Sequence, residues 1–348
     1  MQYEQSLLPQ SRVGRRAPAV LLALTIAPAR NDLTHAGLGI GLIETIRELS
    51  LSLTMLMDAA AKFCKRRPDV QLARALPRAK RAWAALLMVL LASPANAQLK
   101  TEVVTVPVRP GVTMKYLEVR GSEPPSASVI LFAGGNGILD LRPSGEIGTD
   151  LSLNFLIRSR ERFANARLAV AALDVASDRR NGGLNGDIRL SAQHAQDVAR
   201  VITVLRDRIE APVWLVGTSS GTISAAGVAA RLAQSETRPD GVVLTSTQSM
   251  LVAGLCGRTV FFAALDAIPA PVLAVSHRDD RCPCSPGSAS EGARLLAALK
   301  GATAKEHKIF TGGNPPQSKG VCMARSPHGF FGIESQAVNA IAAWIAQH

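Results

Sequence analysis

Short apolar runs recur through the C-terminal two thirds of the chain: SVILFAG (128–134), RLAVAALDV (167–175), PVWLVGTS (212–219), GVVLTST (241–247), PVLAVSH (271–277) and HKIFTGG (307–313). They are continuous rather than alternating, the pattern of strands buried on both faces of a parallel sheet. Helix-like segments at 190–208, 221–234, 288–299 and 332–347 separate the later runs. Strand–helix–strand repetition predicts an α/β fold, with right-handed crossovers placing helices on both faces of the sheet. TEVVTVPVRPGVTMKYLEVRG (101–121) instead alternates with period two across Pro110-Gly111, which predicts an antiparallel hairpin at the sheet edge.

The first 97 residues read differently. The chain has 348 residues and a formal charge of +12, from 39 Lys+Arg against 27 Asp+Glu, and 47% of it is hydrophobic. That composition is globular and excludes a disordered chain or a disulfide miniprotein. Residues 1–97 hold 13 of the basic and 6 of the acidic residues, so more than half of the basic excess lies there. The remainder shows no basic stripe interleaved with aromatics, and nucleic acid is not an expected partner.

Within 76–97, Arg78, Lys80 and Arg81 precede an apolar core at 83–92, and Ala95-Asn96-Ala97 precedes Gln98. Basic start, short apolar core and small-residue end, in that order, are those of a bacterial Sec-type signal peptide cleaved after Ala97. The core is too short for a bilayer span, which takes about 20 residues. Residues 1–75 carry no chemical motif; they are an extension of uncertain reality, read either as sequence upstream of the true start or as a membrane-associated segment. The expected organisation is therefore extension (1–75), signal peptide (76–97) and one α/β domain (98–348), with a periplasmic or secreted product and no stable span in the mature chain.

Candidate chemistry lies at the strand ends. GTSSG (217–221) follows an apolar strand and precedes an Ala-rich helix, the context of a nucleophile elbow. Gly217 and Gly221 permit the close approach that the tight turn needs, and Ser219 is the candidate nucleophile. The Ser220 amide, at the helix start, faces a developing oxyanion. The loop LFAGGNG (131–137) offers a second donor, Gly135, with Asn136 next in order. A serine needs a base, and the base needs a carboxylate. In chain order after the elbow, His328 in SPHGFFG is favoured over His277 and His307, and Asp280 over Asp279 at the end of PVLAVSH.

These segments resemble the serine α/β-hydrolases of the exported bacterial kind. GTSSG, FAGGNG, SHRDDRC and SPHGFFGIE occur in that family's order and spacing, and the resemblance covers residues 100–348. It implies a mostly parallel sheet and a triad of Ser219, Asp280 and His328, with the amides of Gly135 and Ser220 as oxyanion hole. It also implies an acyl-enzyme route on a small ester or related acyl substrate, without metal or organic cofactor. A departure is Ala133, where many members carry a histidine. A serine peptidase of the same fold, or a non-catalytic binding protein with a pocket blocked by Arg281 or Phe330, are the alternatives.

Removing the N-terminal segment discards Cys64 and leaves Cys256, Cys282, Cys284 and Cys322, an even number that fits an oxidising compartment and allows three pairings. The arrangement in related exported hydrolases favours Cys282 with Cys322; whether Cys256 and Cys284 pair is left open. Cys282-Pro283-Cys284 lacks zinc-ligand spacing. Between the fourth and fifth of these apolar runs only residues 248–270 are available for a lid, so an open pocket is expected. Arg179, Arg180 and Arg189 are read as solvated surface sooner than as a site for an acidic substrate, and Asp174 and Asp178 as turn caps.

Overall fold

The computed structural model describes residues 98–348; the extension, the signal-peptide segment and Cys64 lie outside the described residues. Eight strands form one sheet: β1 (Lys100–Arg109), β2 (Val112–Arg120), β3 (Ala127–Phe132), β4 (Leu168–Leu173), β5 (Val213–Thr218), β6 (Gly241–Thr245), β7 (Val272–His277) and β8 (Lys305–Phe310). Their order is β1-β2-β4-β3-β5-β6-β7-β8. The β1–β2 hairpin is antiparallel and joins β4 antiparallel, whereas all pairings from β4 to β8 are parallel.

Period two divides the apolar runs between two cores. Ile130, Phe132, Leu215, Val242, Leu244 and Ala274 face one side; Val129, Leu131, Trp214, Val216, Val243 and Val275 face the other. Continuous hydrophobicity in the sequence is thus two alternating faces, each needing its own cover. The first face is covered by α4 (Ala192–Ile209) and α5 (Gly221–Arg231). In α4 the apolar residues Ala195, Val198, Val201, Ile202 and Leu205 recur at helical spacing, and Ser191 caps its start by accepting from the His194 N–H at 3.1 Å. The C-terminal end of α6 (Ala289–Ala298), with Leu295, meets the same face.

The second face is covered by α1 (Phe155–Arg158), α2 (Arg160–Asn165) and α7 (Glu334–Gln347), through Phe155, Phe163, Val338, Ile341 and Ile345. A four-residue helix, α3 (Gly186–Arg189), precedes α4. Helices α1, α2 and α3 are not among the elements expected from sequence. At four to six residues they are too short to display a helical period, and α1 starts only because the Asn154 side chain accepts from the Leu156 N–H.

Candidate active site

The turn after β5 is tight. Ser219 sits at φ 54°, a left-handed conformation that a serine adopts only under constraint. A Cβ at Gly217 would lie 2.5 Å from the Gly221 carbonyl oxygen, and one at Gly221 would collide with the Phe132 carbonyl. The two glycines are therefore steric requirements of the turn. Gly134 closes in from the other side, where an added Cβ would meet the Ser219 Cβ at 3.0 Å. Ser219 is consequently pressed outward, beside the N-terminus of α5.

The loops after β7 and β8 meet through a carboxylate and an imidazole. Asp280 Oδ2 lies 2.9 Å from His328 Nδ1, and both residues are buried. The second carboxylate oxygen of Asp280 accepts the Cys282 N–H at 2.9 Å, so both of its oxygens are engaged. Asp279 is half exposed and lies beside Arg278. With Nδ1 donating to the carboxylate, Nε2 of His328 keeps its lone pair as a base. The His328 loop is set by Ser326, whose hydroxyl accepts the His328 N–H at 3.2 Å, and by Phe330 at φ 55°.

No hydrogen bond joins Ser219 Oγ to His328 among the described residues. The two residues are instead clamped to successive positions at the end of β6. The Ser219 N–H donates to the Thr245 carbonyl at 3.1 Å, and the Ser246 hydroxyl donates to the His328 carbonyl at 2.7 Å. Ser246 performs this at φ 42°. Sequence reading did not single it out; a polar residue ending a buried strand next to the elbow was the available signal.

An elbow after β5, an acid after β7 and a histidine after β8, on a sheet of this strand order, decide the architecture. The chain has the α/β-hydrolase fold. No family model matches the sequence, and a comparison with curated proteins finds no match. Among solved structures, a cold-adapted esterase from an Arctic intertidal metagenomic library is 17% identical, with a TM-score of 0.45 over 71% of this chain and 93% of its own. A Rhizomucor miehei esterase is 13% identical, with a TM-score of 0.49 over 74% and 84%. A Pyrococcus furiosus esterase is 11% identical, with a TM-score of 0.48 over 73% and 94%. At these identities and scores the similarities carry no weight for activity, and the α/β-hydrolase assignment rests on topology.

A cavity of about 620 Å³ opens at the elbow, its lining including Ser219, Ser220 and Gly135. The Ser220 hydroxyl donates to the Gly135 carbonyl at 2.9 Å, stapling the two expected oxyanion donors together. Neither the Gly135 nor the Ser220 N–H has a backbone partner among the described residues. One wall carries Asp187 and Arg258, paired at 2.6 Å. The lining also includes Cys256, Cys282, Cys284 and Cys322. Cys256 with Cys284 and Cys282 with Cys322 form disulfide pairs, with Cα atoms 6.0 and 4.7 Å apart. Residues 248–270 form two single 3₁₀ turns, Val260–Phe262 and Leu265–Ala267, and no helical lid.

Other residues weighed from the sequence lie outside the cavity lining. Phe330 is buried against Phe155, and Arg281 is exposed; neither lines the cavity. His277 is held by the Asp279 N–H at Nδ1 and the Gly312 carbonyl at Nε2, tying β7 to the chain beyond β8. His307 lies 3.0 Å from the Ser276 hydroxyl, and burial lowers its pKa. Asp178 pairs with Arg109. Asp174 is no simple turn cap: it is buried and accepts the amides of Leu139, Leu141 and Val175 at 2.8–2.9 Å.

Arg189 departs furthest from expectation. It is neither solvated nor in the cavity wall but 1% exposed, and burial pushes its pKa down to about 10. Its Nη1 donates to Ser224 Oγ at 2.8 Å, and its Nη2 to the carbonyls of Ala133 at 3.2 Å and Gly135 at 3.1 Å. Ser224 also meets His194 Nε2 at 3.1 Å; burial, then the neighbouring Arg189 charge, lower the His194 pKa to about 3. Among the described residues no group of three or more His, Cys, Asp or Glu is placed to hold a metal ion, and no helix is long and apolar enough to cross a membrane.

Proposed function

We propose that the protein is a serine hydrolase acting on a small ester or related acyl substrate. Ser219 is the nucleophile, His328 the general base and Asp280 the acid that fixes the imidazole tautomer and supports the imidazolium. The observation that carries this reading is the buried Asp280–His328 bond at 2.9 Å, on loops that flank a serine held at φ 54° beneath an open cavity.

The acyl carbonyl enters the cavity with its oxygen between the amides of Gly135 and Ser220. Ser219 Oγ attacks the carbonyl carbon while His328 Nε2 takes the hydroxyl proton. The tetrahedral oxyanion is held by the two amides, where preorganised donors in a site shielded from bulk water stabilise charge most. Collapse expels the alkoxide, which receives the proton from His328, and leaves an acyl-enzyme. Water, deprotonated by the same imidazole, releases the acid. The Ser219–His328 hydrogen bond, not formed in the free protein, forms in the substrate complex.

The enzyme unit is residues 98–348. The two disulfide pairs support an exported protein matured in an oxidising compartment, with residues 76–97 as the leader. A fluorophosphonate probe and a short-chain p-nitrophenyl ester test the activity together. Wild-type protein is expected to label and to turn over, and Ser219→Ala to do neither. Equal labelling of both proteins removes Ser219 as nucleophile.

A further inference from the structure

Arg189 is a buried cation without a carboxylate. No ion pair to it exists among the described residues, and its Nε finds no hydrogen-bond partner there. Removing a guanidinium from water is costly unless its charge is answered nearby. Its partners here are uncharged: one hydroxyl and two main-chain carbonyls, and both carbonyls belong to the loop that carries Gly135.

That loop needs holding. Gly134 and Gly135 lack side chains that would restrict them, and Gly135 lies at φ 58°. The peptide between them, whose N–H belongs to Gly135, turns freely unless its neighbours are fixed. Arg189 fixes both neighbours, one through the Ala133 carbonyl and the other through the Gly135 carbonyl. The Gly134 carbonyl accepts the Gly137 N–H at 3.2 Å, which directs the Gly135 N–H of the same peptide the opposite way. Ser224, on α5, accepts from the guanidinium at 2.8 Å and is itself held by His194 Nε2, on α4, at 3.1 Å.

We infer that Arg189 is the positioning residue of the oxyanion hole: it pins the loop so that the Gly135 N–H stays aimed at the substrate oxygen, and its uncompensated charge favours the anion that forms there. This rests on the serine-hydrolase reading above. Arg189 touches no substrate atom and acts through the loop, so its effect belongs to the transition state and not to binding of the ground state.

The test compares wild type, Arg189→Met, Arg189→Lys and Ser224→Ala as full chains, with ester turnover and a trifluoromethyl ketone that forms a hemiketal oxyanion on the nucleophile. In Arg189→Met, kcat is expected to fall about 30-fold with KM within threefold, a smaller loss than the roughly 10²–10³-fold of a deleted oxyanion donor. The ketone's inhibition constant is expected to rise in proportion to the loss in kcat/KM. Arg189→Lys, which keeps the charge but not the forked geometry, is expected to recover part of kcat. If Arg189→Met does not fold, Ser224→Ala decides, with an expected loss of about fivefold in kcat and a matching rise in the inhibition constant. An unchanged kcat in a folded variant, or a loss carried by KM with ketone affinity intact, overturns the role of Arg189. A wild type that neither labels nor hydrolyses overturns the serine-hydrolase reading itself.

Discussion

The two sides of the elbow are built by different means. On the acid–histidine side, a disulfide pair joins the Asp280 loop to the His328 loop, and Arg158 reaches the Gly329 carbonyl at 2.6 Å and Glu334 at 2.9 Å. On the oxyanion side no covalent link is present among the described residues: the glycine loop is held by Arg189 and Ser220 through carbonyl oxygens. The first side must keep two side chains from distant loops in register, and cross-links between loops do that. The second presents main-chain amides on residues chosen for lack of bulk, and only polar contacts reach them. The two sides should therefore fail under different stresses, the first to reduction and the second to acid.

The largest effect is expected from Asp280→Asn. The amide keeps the volume and the bond to Cys282 but cannot support an imidazolium; kcat is expected to fall by about 10⁴-fold with the melting temperature little changed. Rate and melting measured on the same sample check this, and a loss below tenfold would argue for another acid. Next is the double change of Cys282→Ser and Cys322→Ser. The pair spans 40 residues, so the chain-entropy model gives a stability loss of about 4 kcal/mol, read by urea unfolding. Turnover is expected to drop about tenfold, and reductant is expected to leave the double variant's rate unchanged while lowering that of the wild type.

Acid probes the other side. His194 ordinarily titrates near 6.5 and is held to about 3 in the folded protein. Above pH 6.5 it is neutral in both states and its contribution to stability is fully present. As pH falls from 6.5 toward 3 the unfolded chain takes up the proton and the folded one does not, so stability is lost across that window. At pH 4.5 the loss is about 3 kcal/mol, and it is expected to be absent from the difference between pH 7 and pH 4.5 in His194→Gln. A His194→Gln profile parallel to wild type would place the acid sensitivity elsewhere. The smallest effect is expected from Arg158→Ala, which leaves Glu334 half-buried and frees the Gly329 carbonyl, for about 2 kcal/mol in urea unfolding.

The same contrast explains what sequence disclosed. Strands β3 to β7 are runs of buried apolar residues, and the residues at their ends are local to those runs. Ser219, Asp280 and His328 are each reachable by counting from a strand, and the mostly parallel sheet follows from the alternation of strands with helices. Arg189 is not reachable in that way. Its neighbours Asp187 and Ile188 place it on a short polar helix, where a charged residue is ordinarily exposed. Its burial depends on contacts to Ala133 and Ser224, 56 and 35 positions away, which no local pattern records. Asp174 is similar: three amides converge on it from a loop 33 and 35 residues earlier and from its own neighbour. Candidate side chains at strand ends were legible, whereas side chains buried behind the main chain were not.

The central claim is that Ser219 forms the covalent bond, with His328 and Asp280 behind it. The most direct measurement is mass spectrometry of the peptides from wild-type protein treated with a fluorophosphonate. The account predicts a single adduct on Ser219, formed at a rate reduced together with hydrolysis in His328→Ala. An adduct on another residue, or a rate on Ser219 unaffected by loss of His328, would contradict it.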